Sequence, residues 1–170
     1  MMMGRALLVL GLLGTAGLVA AAVLGYEVSG AADSQVRAHV LLSLGATLVL
    51  LFSHTWIVLY LLATGRVLSQ VVRERGWLDR PDGGAELLER ARRARLRAIP
   101  WLVAALAAVA AAFLSGGAAL AGSATATVHH ALFYLMLVLQ GGAMVAERRV
   151  LAEHERLAAE LGRRLQADAA

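Results

Sequence analysis

Apolar residues gather into four stretches, each about as long as the roughly 20 residues a helix needs to cross the hydrocarbon core of a bilayer. They cover about 6–25, 39–63, 99–121 and 126–146. Polar and charged residues fill the segments between and after them, so the pattern predicts four transmembrane helices. The first, ALLVLGLLGTAGLVAAAVLG, follows Arg5 and has small residues near Ala20 to Ala22 that resemble a signal-peptide cleavage site. Its apolar run is longer than the usual signal core, which favours a retained span. Gly11, Gly14 and Gly17 recur every three residues and leave one side of this helix thin enough for a close neighbour.

Helical patterning continues beyond the apolar runs. Val67, Leu68, Val71 and Val72 share a face, so span 2 is expected to extend out of the membrane. RPDGG at 80–84 predicts a turn, because Pro81 restricts one dihedral and Gly83 and Gly84 tolerate conformations other residues resist. AELLERARRARLRAI follows as a second helix, with Glu86 one turn from Arg90 and Glu89 one turn from Arg93. Residues 66–98 thus read as a helical hairpin, with Pro100 and Trp101 marking re-entry into the membrane. In the tail, 147–170, Val150, His154, Leu157, Leu161 and Leu165 recur every three or four residues as a packing seam. His154 belongs to that seam rather than to a ligand set.

Composition agrees with a membrane chain. Hydrophobic residues make up 59% of the 170 and charged residues 16%, with a mean hydropathy of +0.68, too apolar for the solvated surface of a soluble domain. All 16 basic residues are arginine. Nine of them, Arg66, Arg73, Arg75, Arg80, Arg90, Arg92, Arg93, Arg95 and Arg97, lie between spans 2 and 3, and Arg148, Arg149, Arg156, Arg163 and Arg164 lie in the tail. The positive-inside rule assigns those segments to the cytoplasm. The connections YEVSGAADSQVRA and GSATAT, poor in arginine, belong outside. The expected fold is all-α, a four-helix up-down-up-down transmembrane bundle with both termini cytoplasmic, a cytoplasmic helical hairpin and a helical tail, forming one integral domain over 1–170. A bacterial inner membrane fits the arginine-only basic composition. Arginine beside membrane spans is explained by topology and attraction to anionic lipid headgroups, so no nucleic-acid partner is expected.

Candidate chemistry is sparse. The chain has no cysteine, which excludes disulfides, thiolate nucleophiles and cysteine-held clusters. No aspartate or glutamate lies within the four predicted spans, so the carboxylate relays of pumps and many transporters are not expected. HExxH, phosphate-loop and nucleophile-elbow motifs are missing, and an enzyme is not expected. No metal ligand set can be assigned.

Histidine remains. Spans 2 and 4 run in the same direction, which puts His39, His129 and His130 near the outer face. His54 lies 15 residues beyond His39, about 22 Å along the helix axis, in the inner half of the bilayer. The same step from His129 arrives at Met144. Histidine and methionine both serve as axial haem ligands, and diagonally opposed helices of such a bundle can hold a flat cofactor between them. In this arrangement the chain resembles the four-helix haem bundle of membrane cytochromes b, differing in that Met144 stands where a second inner histidine would be. The resemblance implies haem b held by His39, His54, His129 or His130, and Met144. The alternative is that His54 is a satisfied polar group within the bundle, near Ser43, Thr47, Ser53 and Thr55; another metal, a lipid headgroup or a quinone contact would also use such a residue. The favoured expectation is a non-catalytic accessory or structural subunit of a membrane assembly, with a membrane-protein partner or further copies of itself. The competing one is a haem-bearing electron carrier or quinone-linked anchor.

Overall fold

The computed structural model describes residues 2–26, 33–80, 84–123 and 125–169. Among the described residues it is all-α, built from four long helices, α1 (Met2–Tyr26), α2 (Asp33–Glu74), α3 (Gly84–Leu120) and α4 (Ala126–Ala169), with a 3-10 turn at Trp77–Asp79. All four are long and apolar enough to cross a membrane. Local chemistry explains this: the chain is rich in alanine and leucine, and in a lipid solvent a helix satisfies its backbone hydrogen bonds within itself.

Consecutive helices pack antiparallel in a ring. One buried apolar layer joins Leu7 of α1, Ile57 and Leu61 of α2, Ala98 and Leu102 of α3, and Val150 of α4. A second, nearer the α1–α2 and α3–α4 connections, joins Leu18, Ala46, Leu50, Val109, Ala112 and Met136. Residue numbers rise along α1 and α3 and fall along α2 and α4 between the first layer and the second. Within the ring α2 and α4 also touch across the diagonal. Gly14 and Gly17 are the thin side of α1: a Cβ at Gly14 would come 2.7 Å from Leu50 Cγ, and one at Gly17 2.9 Å from Ala46 Cβ. Gly11 instead looks towards Ser53 and Glu147.

At the arginine-rich end the helices run on without a break. Three extensions meet in a third layer, Leu68, Val72, Trp77, Leu87, Ala91 and Leu157. The predicted hairpin therefore exists as the outward continuation of α2 and α3 rather than as separate helices. Pro100 lies inside α3, which passes through the expected re-entry point as one element. α2 ends at Glu74 and the chain turns at Gly76, whose φ of 63° is the left-handed conformation that follows helix ends, with its N–H donating to the Arg73 carbonyl at 3.0 Å. The predicted turn at 80–84 falls mainly on 81–83, which lie outside the described residues. The tail seam packs as expected: His154 and Leu157 are buried, and Leu161 and Leu165 pack against the third layer.

Ion pairs tie the extensions together. Arg90 of α3 spans to α4, donating to Glu153 at 2.8 Å and Glu160 at 3.0 Å. Asp168 near the end of α4 accepts from Trp77 Nε1 at 2.8 Å and from Arg80 at 2.9 Å, which closes the tail over the 3-10 turn.

Candidate functional site

The buried face of α2 reads Leu50, His54, Ile57, Leu61, an i, i+4, i+7 series in which His54 replaces one apolar member. The facing stripe of α4 reads Met136, Gln140, Ala143, Glu147, Val150. His54, Gln140 and Glu147 thus share one polar layer sandwiched between the two apolar layers, and all three are 0% exposed.

Across the α2–α4 diagonal, His54 Nδ1 pairs with Glu147 Oε1 and His54 Nε2 with Gln140 Oε1 at 2.8 Å. Gln140 and Glu147 are seven residues apart, two helical turns, so their side chains reach the imidazole from its two edges. With both acceptors as oxygens the ring donates from both nitrogens and faces the carboxylate as an imidazolium. A half-turn of the Gln140 amide supplies a donor to Nε2 and satisfies the neutral ring instead. The layer therefore accommodates His54 with one ring proton or two. Glu147 Oε2 and Gln140 Nε2 have no partner, and both are buried. Beside them Ser53, also 0% exposed, donates to the Leu7 carbonyl of α1 at 2.9 Å. Thr55, on the opposite face of α2, is exposed.

Gln140 and Glu147 are functional candidates that the reading of the spans missed. Glu147 stands one position past the predicted end of span 4, so the expectation of carboxylate-free spans passed it by. The tail seam held the missing signal: extended backwards from Val150 in its own three-and-four step, it passes through Glu147, Ala143, Gln140 and Met136.

Met144 lies at the level of His54, as the residue count implied, but on another side of α4. It is half-buried, with its sulfur 3.9 Å from the Thr15 hydroxyl of α1. His54 and Met144 therefore do not face each other, and both His54 nitrogens are engaged. As folded, this level does not fit a haem.

The other three candidate histidines do come together. His39, His129 and His130 line one cavity of about 230 Å³ near the helix connections, with Tyr26, Ser43 and Phe133 among its walls. His39 Nδ1 donates to the Ala21 carbonyl at 2.7 Å, and His129 Nδ1 to Ser115 Oγ at 3.2 Å, whose own proton goes to the Ala112 carbonyl. Each ring is thereby oriented with Nε2 as its remaining acceptor. His130 packs against Tyr26 with ring centroids 5.0 Å apart. A cavity of this size falls below the roughly 300–1,000 Å³ of typical ligand pockets, so a porphyrin does not fit without parting the helices. Among the described residues no three histidine, aspartate or glutamate side chains converge as a metal site. His154, the fifth histidine, donates from Nδ1 to the Val150 carbonyl of its own helix at 3.0 Å and packs beside Tyr60.

Comparison with protein-family models, curated proteins and solved structures returns no match for this chain.

Proposed function

We propose that this protein is a non-catalytic accessory or structural subunit of a membrane assembly. On this reading it spans a bacterial inner membrane up-down-up-down, with the arginine-rich extensions and both termini in the cytoplasm. One observation carries it: the layer of ionisable and amide groups inside the bundle is closed. His54, Gln140 and Glu147 are wholly buried and engage both imidazole nitrogens, and the two polar atoms left without a partner, Glu147 Oε2 and Gln140 Nε2, are buried with them, so the layer pins α2 to α4 with no atom open to a substrate. The ion-paired extensions then give a rigid helical body outside the bilayer, suited to docking a partner.

Two experiments test the proposal. The cysteine-free chain permits single introduced cysteines without background labelling. Ser123→Cys should react with an impermeant maleimide from outside and Gln166→Cys only from the cytoplasm; labelling of both from one side overturns the topology. For the assembly, crosslinking in native membranes followed by native electrophoresis should place the chain in a species well above its 17.9 kDa. A chain that stays at monomer size overturns the subunit reading.

The haem alternative keeps one observation, that His39 and His129 share a cavity in which each Nδ1 is hydrogen-bonded and each Nε2 is left as an acceptor, and it requires the helices to part far enough to admit a porphyrin. An absorption spectrum of the protein purified from haem-replete cells decides it. A Soret band lost in His39→Ala supports haem; a flat visible spectrum removes it.

A further inference from the structure

A groove of about 820 Å³ runs between α3 and α4, where the apolar part of the bundle gives way to the arginine-rich extensions. Its floor exists because Gly141 and Gly142 carry no side chain; the Trp101 indole lies directly over Gly142, where an added Cβ would collide with it. Val145 and Ala146 continue that apolar floor. Above it stand Arg97, two residues before the start of the third apolar stretch, and Arg149, three residues after the end of the fourth.

Charge is distributed unevenly along the groove. At its outer end Arg90 is neutralised by Glu153 and Glu160, and Arg93 lies 3.5 Å from Glu89. At its inner end Arg97 and Arg149 are exposed and, among the described residues, make no ion pair. Uncompensated guanidinium groups above an apolar trough, at the height of an interfacial tryptophan, match an amphiphilic anion rather than a soluble one. Guanidinium forks suit phosphate oxygens in particular.

We infer that this groove is a specific site for one anionic phospholipid, its phosphate held between Arg97 and Arg149 and an acyl chain lying along Val145 and the Trp101 indole. The inference deepens the membrane placement proposed above and rests on it. Maleimide labelling tests that placement separately, so failure of one is distinguishable from failure of the other.

The test uses the full chain in mild detergent, loaded with phosphatidylglycerol or phosphatidylcholine and examined by native mass spectrometry. One phosphatidylglycerol should remain bound under activation that strips phosphatidylcholine. Arg97→Gln/Arg149→Gln should weaken its retention about thirtyfold, from two interfacial arginines. Arg66→Gln/Arg73→Gln removes two exposed charges from the neighbouring α2 extension and should change retention less than about twofold. Val145→Trp keeps every charge but fills the trough, and should also release the lipid. It serves as the independent variant if the arginine pair proves needed for folding. Equal losses in the two arginine pairs would show diffuse attraction and overturn the site. So would displacement by inorganic phosphate alone, which would make the ligand a free anion.

Discussion

Replacing His54 by leucine should destabilise the protein by about 2–4 kcal/mol. The change removes the donors that serve Glu147 Oε1 and Gln140 Oε1, and these atoms then join Glu147 Oε2 and Gln140 Nε2 as buried groups without partners. In membrane bundles one side-chain hydrogen bond contributes about 0.6 kcal/mol on average and up to about 1.7, so two give about 1–3. Breaking one partner of a buried pair costs about 3–5 kcal/mol in soluble proteins; that figure already contains the lost hydrogen bond, so the two ranges overlap rather than add and centre on about 2–4 kcal/mol. The decisive comparison is His54→Leu/Gln140→Leu/Glu147→Leu. That triple change removes every polar group of the layer, keeps side chains of similar size, and joins the apolar layers above and below. It should recover to within about 1 kcal/mol of the natural chain or exceed it. Reversible unfolding in mixed dodecyl sulfate micelles, followed by the fluorescence of the three tryptophans, measures both. A single variant indistinguishable from the natural chain, or a triple variant as unstable as the single, would refute the closed polar layer.

Gly142→Ala should cost about 1–3 kcal/mol by driving a methyl group into the Trp101 indole, and adding Trp101→Leu should relieve it; the same unfolding titration reads both, and an unchanged Gly142→Ala midpoint would refute the contact. Asp168→Ala should release Trp77 Nε1 and Arg80 together. Hydrogen exchange should then quicken over the last turns of α4, and the emission of Trp77, read with Trp56 and Trp101 changed to phenylalanine, should move to longer wavelength. Exchange that stays as slow as in the natural chain would show that the tail is held by its seam alone.

The histidines show where a linear reading reaches its limit. Depth along a helix is a product of residue number and rise, so counting alone assigns His54 and Met144 to one level and His39 to the level of His129 and His130, three residues that line one cavity. Azimuth is different. On α4, residues 140, 143, 144 and 147 are within a turn or two of one another, and a modest rotation of the helix decides which of them faces His54. Close packing elsewhere on α4, such as Trp101 against Gly142, acts on that rotation. At Pro100 packing likewise outweighs a local tendency, and the helix runs through the residue. Proline weakens a helix locally, but α3 is held along its length by neighbours on both sides of the residue, Ala98 and Leu102 both being buried in one layer.

Four apolar rods, their lengths, their helical extensions and the seam of the tail could all be read from the chain before folding, because hydropathy and helical period are properties of neighbours in sequence. The pairing of His54 with Gln140 and Glu147, the turning of Met144 towards α1, and the gathering of three histidines round one cavity were set only when the helices packed. Each depends on contacts between residues far apart in the chain, and the small and large side chains that fix those contacts carry no mark of their partners.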